Sequence, residues 1–148
     1  MNDPIMDDLI WIEREAMQHR KDGNVSEAVR LYRQLLAKEP DWENGVGFYN
    51  LASCYEDLGE ILSARSAYLK ALVFAPEDTL ILAGYASFLL RYGFPEEALD
   101  AHLRLLRAKV RGENRKDLES TTKVILELAE KTGIPGAIVE EYIQPSGE

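Results

Sequence analysis

Apolar side chains recur every three or four residues along most of this chain, the interval at which residues share one face of an α-helix. The pattern is clearest between residues 48 and 76. It predicts two consecutive helices there, whose buried faces carry Phe48, Leu51, Ala52 and Tyr55 in the first and Ala64, Tyr68, Ala71 and Leu72 in the second. The alanines let the two helix axes approach closely. This stretch is therefore predicted to be a helical hairpin.

Glycine and proline residues mark the ends of these helices. Gly59 follows the first apolar run and suits the left-handed conformation that ends many helices, whereas Pro76 cannot continue the second helix. Gly23 and Pro40 are 17 residues apart, as are Gly59 and Pro76. Gly23, Gly59 and Gly93 follow one another at intervals of 36 and 34 residues. The spacing predicts that the hairpin is repeated along the chain.

Residues 48–76 resemble one tetratricopeptide repeat, whose pattern is W-x2-L-G-x2-Y followed by A-x3-F and P. The same or a closely similar residue fills each position, namely Phe48, Leu51, Ala52, Tyr55, Ala64, Tyr68 and Pro76. The resemblance implies an all-α fold, a right-handed superhelix of tandem antiparallel helix pairs, with three repeats plus C-terminal capping helices.

When the period is extended in both directions, the whole chain, residues 1–148, is predicted to be a single domain built of repeats. The predicted repeats are residues 9–42, 45–78 and 79–112, and the first junction holds two additional residues around positions 42–44. Residues 114–144 are predicted to form a degenerate repeat or capping helices, because Gly133 and Pro135 repeat the Gly93 and Pro95 pair.

Composition and charge narrow the range of partners. The chain has 148 residues, 46% of them hydrophobic, and a net charge of −9, which disfavours nucleic acid and anionic membranes because both are polyanions. No apolar run is long enough to span a membrane, and no signal peptide is evident. The chain is expected to be cytoplasmic. One basic cluster is expected to complement a helix C-terminus rather than bind an anion: Arg104, Arg107, Lys109, Arg111, Arg115 and Lys116.

The residues that could carry chemistry are few and scattered. Cys54 is the single cysteine and is predicted to be a buried, inert thiol. His19 and His102 occupy inward positions of two different repeats, where packed imidazole is expected. Glu56 and Asp57 are adjacent and end a helix, so they are interpreted as a solvated rim rather than an acid–base pair. No enzyme activity, metal or cofactor is predicted.

The resemblance also implies where a partner binds, because related proteins hold peptides on the concave surface lined by the first helix of each repeat. The candidates are the residues of these helices that the core pattern does not require. They are Glu13, Met17, Arg20 and Lys21 in the first repeat, Tyr49, Asn50, Ser53, Glu56 and Asp57 in the second, and Leu80, Ala83, Ser87 and Arg91 in the third. The alternative interpretation is that these residues face solvent or are covered by the tail helices.

Two functions remain open from the sequence. The first is an adaptor that binds a protein or peptide partner in this groove. The second is a self-associating, chaperone-like subunit, a homodimer that uses its first helix around Trp11. Capture of a C-terminal chaperone carboxylate is not expected, because the matching positions hold Glu13, Met17, Asn50, Leu80 and Gly84, and Asn50 alone agrees with that subfamily.

Overall fold

In the computed structural model, residues 3–112 and 118–143 are described, and these residues form eight α-helices and one short 3₁₀ helix with no β-strand among them. The all-α prediction is confirmed. The chain divides into two compact units, Met1–Pro76 and Glu77–Glu148. None of the described helices combines the length and the apolar character needed to cross a bilayer.

The first unit consists of four helices in antiparallel pairs. They are α1 (Pro4–Lys21), α2 (Val25–Lys38), α3 (Val46–Asp57) and α4 (Ile61–Phe74). Each helix packs against the next along the chain, and the buried faces follow the three- and four-residue spacing of the sequence. The core of this unit includes Leu9, Ala16, Ala28, Tyr32, Leu35, Leu51, Ala52, Ala64, Tyr68 and Ala71.

Glycines with positive φ end the first helix of each pair, as the spacing predicted. Gly59 has a φ of 73°, and the N–H of the following Glu60 donates to the carbonyl oxygen of Tyr55 at 2.9 Å. Gly23, Gly93 and Gly133 also have positive φ, and each is followed by the same kind of six-to-one hydrogen bond. This turn satisfies carbonyl groups at the helix end and sends the chain back along the helix just completed.

The junction between α2 and α3 is more ordered than a simple loop. Residues Trp42–Gly45 form the 3₁₀ helix, and Trp42 is buried. Glu43 and Asn44 have φ values of 50° and 53°, and Gly45 follows with 91°, so three consecutive residues are left-handed. The resulting turn brings Gly45 against α4, where an added Cβ would lie 2.5 Å from the carbonyl oxygen of Ala71. The junction thus places Gly45 in close contact with Ala71 of α4.

The second unit contains the remaining four helices, α5 (Thr79–Arg91), α6 (Pro95–Arg111), α7 (Leu118–Thr132) and α8 (Gly136–Ile143). The Asp78 carboxylate caps α5 by accepting from the Ile81 N–H at 3.0 Å. Phe88 is fully buried, and its ring centroid lies 5.1 Å from that of Tyr92. Helices α7 and α8 fall in the predicted capping region, but residues 113–117 and 144–148 lie outside the described residues, so the boundaries of the repeats and cap stay predictions.

The basic cluster of α6 is partly engaged within this unit. Arg111 forms an ion pair with Glu77, and the ammonium group of Lys109 donates to the Thr121 hydroxyl oxygen at 3.3 Å. Arg115 and Lys116 lie outside the described residues. Lys109 and Arg111 thus make contacts within the fold.

His102 is buried in α6, as the sequence predicted for an inward position. Its Nδ1 lies 2.7 Å from the carbonyl oxygen of Ala98 and must carry the proton, because a carbonyl group can only accept. Burial lowers the pKa of His102 below the usual value of 6.5. The unfolded chain therefore takes up a proton more readily than the folded chain as pH falls.

We expect this difference to make the free energy of unfolding fall as pH drops below about 6.5. The His102→Gln variant lacks this contribution, so the free-energy difference between wild type and variant should shrink between about pH 7.5 and 5.5, by at most about 1.4 kcal/mol per pH unit. Urea titrations across this range measure it, with His19→Gln as the control. A difference that stays constant with pH would contradict the assignment.

A second stability test concerns Gly45. Gly45→Ala should lower the free energy of unfolding by about 3 kcal/mol or more, because left-handed strain of about 1–2 kcal/mol adds to the clash with Ala71. Gly59→Ala is the matched control, because it shares the positive φ but has no atom within 4 Å of the added Cβ. The control should lose only about 1–2 kcal/mol. Equal losses in urea unfolding would show that the contact with α4 is unimportant.

Candidate functional site

A pocket of about 300 Å³ in the first unit brings several predicted binding residues together. It is lined by Met17, Arg20 and Lys21 from α1, by Asn50 and Asp57 from α3, and by Tyr32 from α2. Five of these six residues were predicted from the sequence as surface positions of first helices. The sixth, Tyr32, is a buried residue of α2.

An ion pair between α1 and α3 lies in this pocket. Arg20 donates from Nε to Asp57 Oδ2 at 2.8 Å, and its Nη2 lies 3.5 Å from Oδ1. The hydrogen bond to Asp57 raises the pKa of Arg20 above its usual value. Both side chains are about 39% exposed, so the pair contributes little to stability, and its main effect is to fix the two helices at this point. Asp57 is thus a paired residue rather than a freely solvated rim.

The remaining pocket residues offer a mixture of chemical groups. Tyr32 is only 2% exposed, and burial raises the pKa of its phenol, which therefore stays neutral. Asn50 is half-buried and supplies an amide with both donor and acceptor groups. Met17 is 54% exposed and presents a flexible apolar side chain. The pocket can hold a peptide backbone through Asn50 while an apolar side chain contacts Met17.

Glu13 makes a structural contact that the sequence pattern does not show. Its Oε2 accepts a hydrogen bond from the indole N–H of Trp42 at 2.5 Å. Glu43 lies close by, and the pKa of its carboxyl group is raised by burial first and by the charge of Glu13 second. A tryptophan in a short polar junction is the sequence feature that could have predicted this contact, because a buried indole needs apolar neighbours and a hydrogen-bond acceptor.

Tyr49, Ser53 and Glu56 contact their own helix or α4 and do not line this pocket. The Tyr49 ring packs edge-on against the Tyr68 ring, with centroids 5.9 Å apart. The Ser53 hydroxyl donates to the Tyr49 carbonyl oxygen at 3.2 Å, and the Tyr68 hydroxyl donates to Glu56 Oε1 at 2.5 Å. These contacts give all three residues a role in the fold, and their part in binding stays a prediction.

The four predicted residues of the third repeat lie on α5 in the second unit. Leu80, Ser87 and Arg91 are exposed, and Ala83 is half-buried. The Arg91 guanidinium lies 5.9 Å from the centroid of the Tyr92 ring. Their exposure is compatible with a binding surface, and that role also stays a prediction.

Two further residues of reactive type, Cys54 and His19, differ in their burial. Cys54 is fully buried, and burial raises the pKa of its thiol to about 11, so the thiolate is scarce near neutral pH. His19 is half-buried, with Nε2 4.0 Å from the Glu15 carboxylate. Within residues 3–112 and 118–143, no group of three or more His, Cys, Asp or Glu side chains could hold a metal ion.

Comparison with known sequences gives one partial match. No model of a known protein family matches the chain. A chloroplastic protein of Arabidopsis thaliana is 35% identical over 66 residues, which are 44% of this chain. The match takes in only 20% of the length of that relative.

Solved structures match over most of the chain at low sequence identity. The TPR2B domain of yeast Sti1, in its pHsp70 complex, has a TM-score of 0.69 and 15% identity, covering 83% of this chain and 97% of that one. The Yersinia enterocolitica type III secretion chaperone SycD, in complex with a peptide of the translocator YopD, has a TM-score of 0.71 and 17% identity, covering 85% and 95%. Likeness at this level of identity shows a shared fold.

The hydrogen bond between Glu13 and Trp42 gives Glu13 a structural role on α1. Glu13→Ala should lower the free energy of unfolding by about 1–3 kcal/mol, because it leaves a buried indole N–H without its acceptor. Glu13→Gln keeps an acceptor oxygen and should cost less. Met17→Ala, at an exposed position, should stay within about 0.5 kcal/mol of wild type. Urea unfolding of the three variants measures this order, and a loss at Met17 equal to that of Glu13→Ala would contradict it.

Proposed function

We propose that this chain, which has the tetratricopeptide-repeat fold, is a protein-interaction adaptor that binds a peptide segment of a partner protein. The observation that carries the proposal is the pocket between α1 and α3. Two structures of the same fold hold a peptide or a partner complex, which supports the same class of function here. We propose a role without catalysis or a cofactor, in the cytoplasm, as an adaptor or scaffold.

The chemistry of the pocket favours an uncharged or mixed peptide over a terminal carboxylate. Arg20 already pairs with Asp57, so its cationic group is engaged. Lys21 adds one positive charge to a lining that is otherwise polar or apolar, which suits a mixed peptide. Asn50 can bond a backbone amide without selecting a side chain, and Met17 adapts to different apolar groups. The expected ligand is therefore an extended or helical segment with an apolar anchor.

A second candidate function uses another face of α1. Trp11 is 61% exposed, and Ile5 on the same helix is 67% exposed. Large apolar side chains exposed on one helix favour an interface. This supports the alternative of a self-associating, chaperone-like homodimer.

The two candidates can be separated with intact protein. We would use wild type as bait in a pull-down from the source cell, identify the partner by mass spectrometry, and titrate that partner against the Met17→Ser/Asn50→Ala and Trp11→Ser variants. The pocket proposal expects the double variant to weaken the partner by about 2 kcal/mol, the scale of a binding hot spot. Trp11→Ser should then bind as wild type does.

The opposite pattern would favour the alternative. The binding site would not be the α1–α3 pocket if the pocket variant bound normally while Trp11→Ser abolished binding. The same would hold if Trp11→Ser dissociated a dimer detected by sedimentation. Melting curves of both variants are the control, and a variant that no longer folds is replaced by Lys21→Glu, an exposed residue that lines the same pocket.

A further inference from the structure

The first unit has a second, larger groove that shares no lining residue with the α1–α3 pocket. It lies between α2 and α4, with part of α3 at its base, and has a volume of about 680 Å³. This volume is in the range of sites that bind small ligands or short peptide segments. The groove therefore offers a separate surface.

The walls of this groove are aromatic and incompletely buried. Leu36, Leu51 and Ala67 line it and are almost fully buried. Phe48 and Tyr55 also line it and are half-buried, although the repeat pattern assigns both to the core. Half-buried aromatic rings beside a groove supply apolar contact area at low conformational cost. The groove can thus bury an apolar side chain.

The two ends of the groove differ in chemistry. Lys70 lies at the end marked by Phe48, with its ammonium nitrogen 5.7 Å from the centroid of that ring. Arg33 follows Gly23 by 10 residues and Lys70 follows Gly59 by 11, so the two cations stand at corresponding levels of α2 and α4. Leu62, 76% exposed, precedes Lys70 by eight residues, or about 12 Å along the helix. One end is cationic and the other apolar.

The charge of the groove is opposite to that of the chain. Among the described residues that line it, the charged ones are Arg33 and Lys70, both exposed cations, whereas the whole chain carries −9. A long polyanion would be repelled by the remaining surface, but a short segment with one or two carboxylates would meet only the local positive charge. Charge complementarity therefore selects a short acidic ligand.

We infer that this groove binds a short acidic segment of another protein. An apolar residue of the segment contacts Leu62 and Tyr55, and its Asp or Glu side chains pair with Arg33 and Lys70. The separation of about 12 Å between the two ends corresponds to about three or four residues of extended chain. This surface is independent of the α1–α3 pocket, so the chain can hold two segments at once.

A displayed library of random 12-residue peptides, selected against the intact wild-type chain, tests the inference. Enriched sequences should carry an apolar residue three or four positions from an Asp or Glu. Synthetic copies are then titrated by fluorescence anisotropy against Arg33→Glu/Lys70→Glu, which should bind about ten-fold or more weakly because two attractive charges become repulsive. Arg33→Gln/Lys70→Gln should give a smaller loss and serves if the charge-reversed variant does not fold.

Two control variants make the test specific. Arg14→Glu/Lys123→Glu changes the net charge equally at exposed positions of α1 and α7 that line neither cavity, and it should bind within about two-fold of wild type. Met17→Ser/Asn50→Ala, in the other pocket, should also bind normally. A selection that yields no acidic peptide, equal weakening of the acidic peptides by the Arg14/Lys123 control, or their loss of binding to the Met17/Asn50 variant would each overturn the inference. So would a dimer that dissociates on Arg33→Glu/Lys70→Glu, because a second copy would then occupy the groove.

Discussion

The close approach of paired helices is the constraint on which the rest of the structure depends. Ala28, Ala64 and Ala98 lie in the first turn of α2, α4 and α6, the second helices of their pairs, and have no exposed surface. Ala52 of α3 is also completely buried. A larger side chain at any of these positions would separate the helix axes, because a closely packed interior has no room for it. The α1–α3 pocket and the groove between α2 and α4 each lie between helices of the two neighbouring pairs. Their walls are therefore set by how one helix pair packs against the next.

Sequence reasoning predicted the features that depend on neighbouring residues. Gly23 and Gly59 end helices because their left-handed backbone is a local property, and the apolar period fixes which face of each helix is buried. It did not predict that Phe48 and Tyr55 stay half-buried. Their exposure depends on how far α2 and α4 are separated, and no pattern within a single helix encodes that distance.

The contacts of the candidate site required the structure. Trp42 reaches Glu13 across 29 positions, and Arg20 reaches Asp57 across 37. Neither interval belongs to a helical period, so periodicity could place these residues on a surface but could not pair them. Asn50 and Met17 were correctly separated from the core, whereas their meeting in one pocket depends on the angle between two helices.

The charges of the lining residues distinguish the α1–α3 pocket from the groove between α2 and α4. In the α1–α3 pocket, Asp57 offsets the charge of Arg20 and Lys21 adds one positive charge, so the lining combines opposite charges with the amide of Asn50. Among the described residues that line the groove between α2 and α4, the charged ones are the cations Arg33 and Lys70, which make one end of the groove positive. One small unit thus presents two surfaces of different character.

The ties of α1 to the second helix pair have a mechanical consequence. Glu13 and Arg20 are seven residues apart, about 10.5 Å along one face of α1. One is bonded to the turn before α3 and the other to the end of α3. Two anchors spaced along one face stop a helix from swinging relative to its neighbours, whereas either one alone would act as a pivot. Met17, between the two anchors, is therefore held at a fixed angle to Asn50, so that a ligand of the proposed pocket would meet a surface that is already aligned.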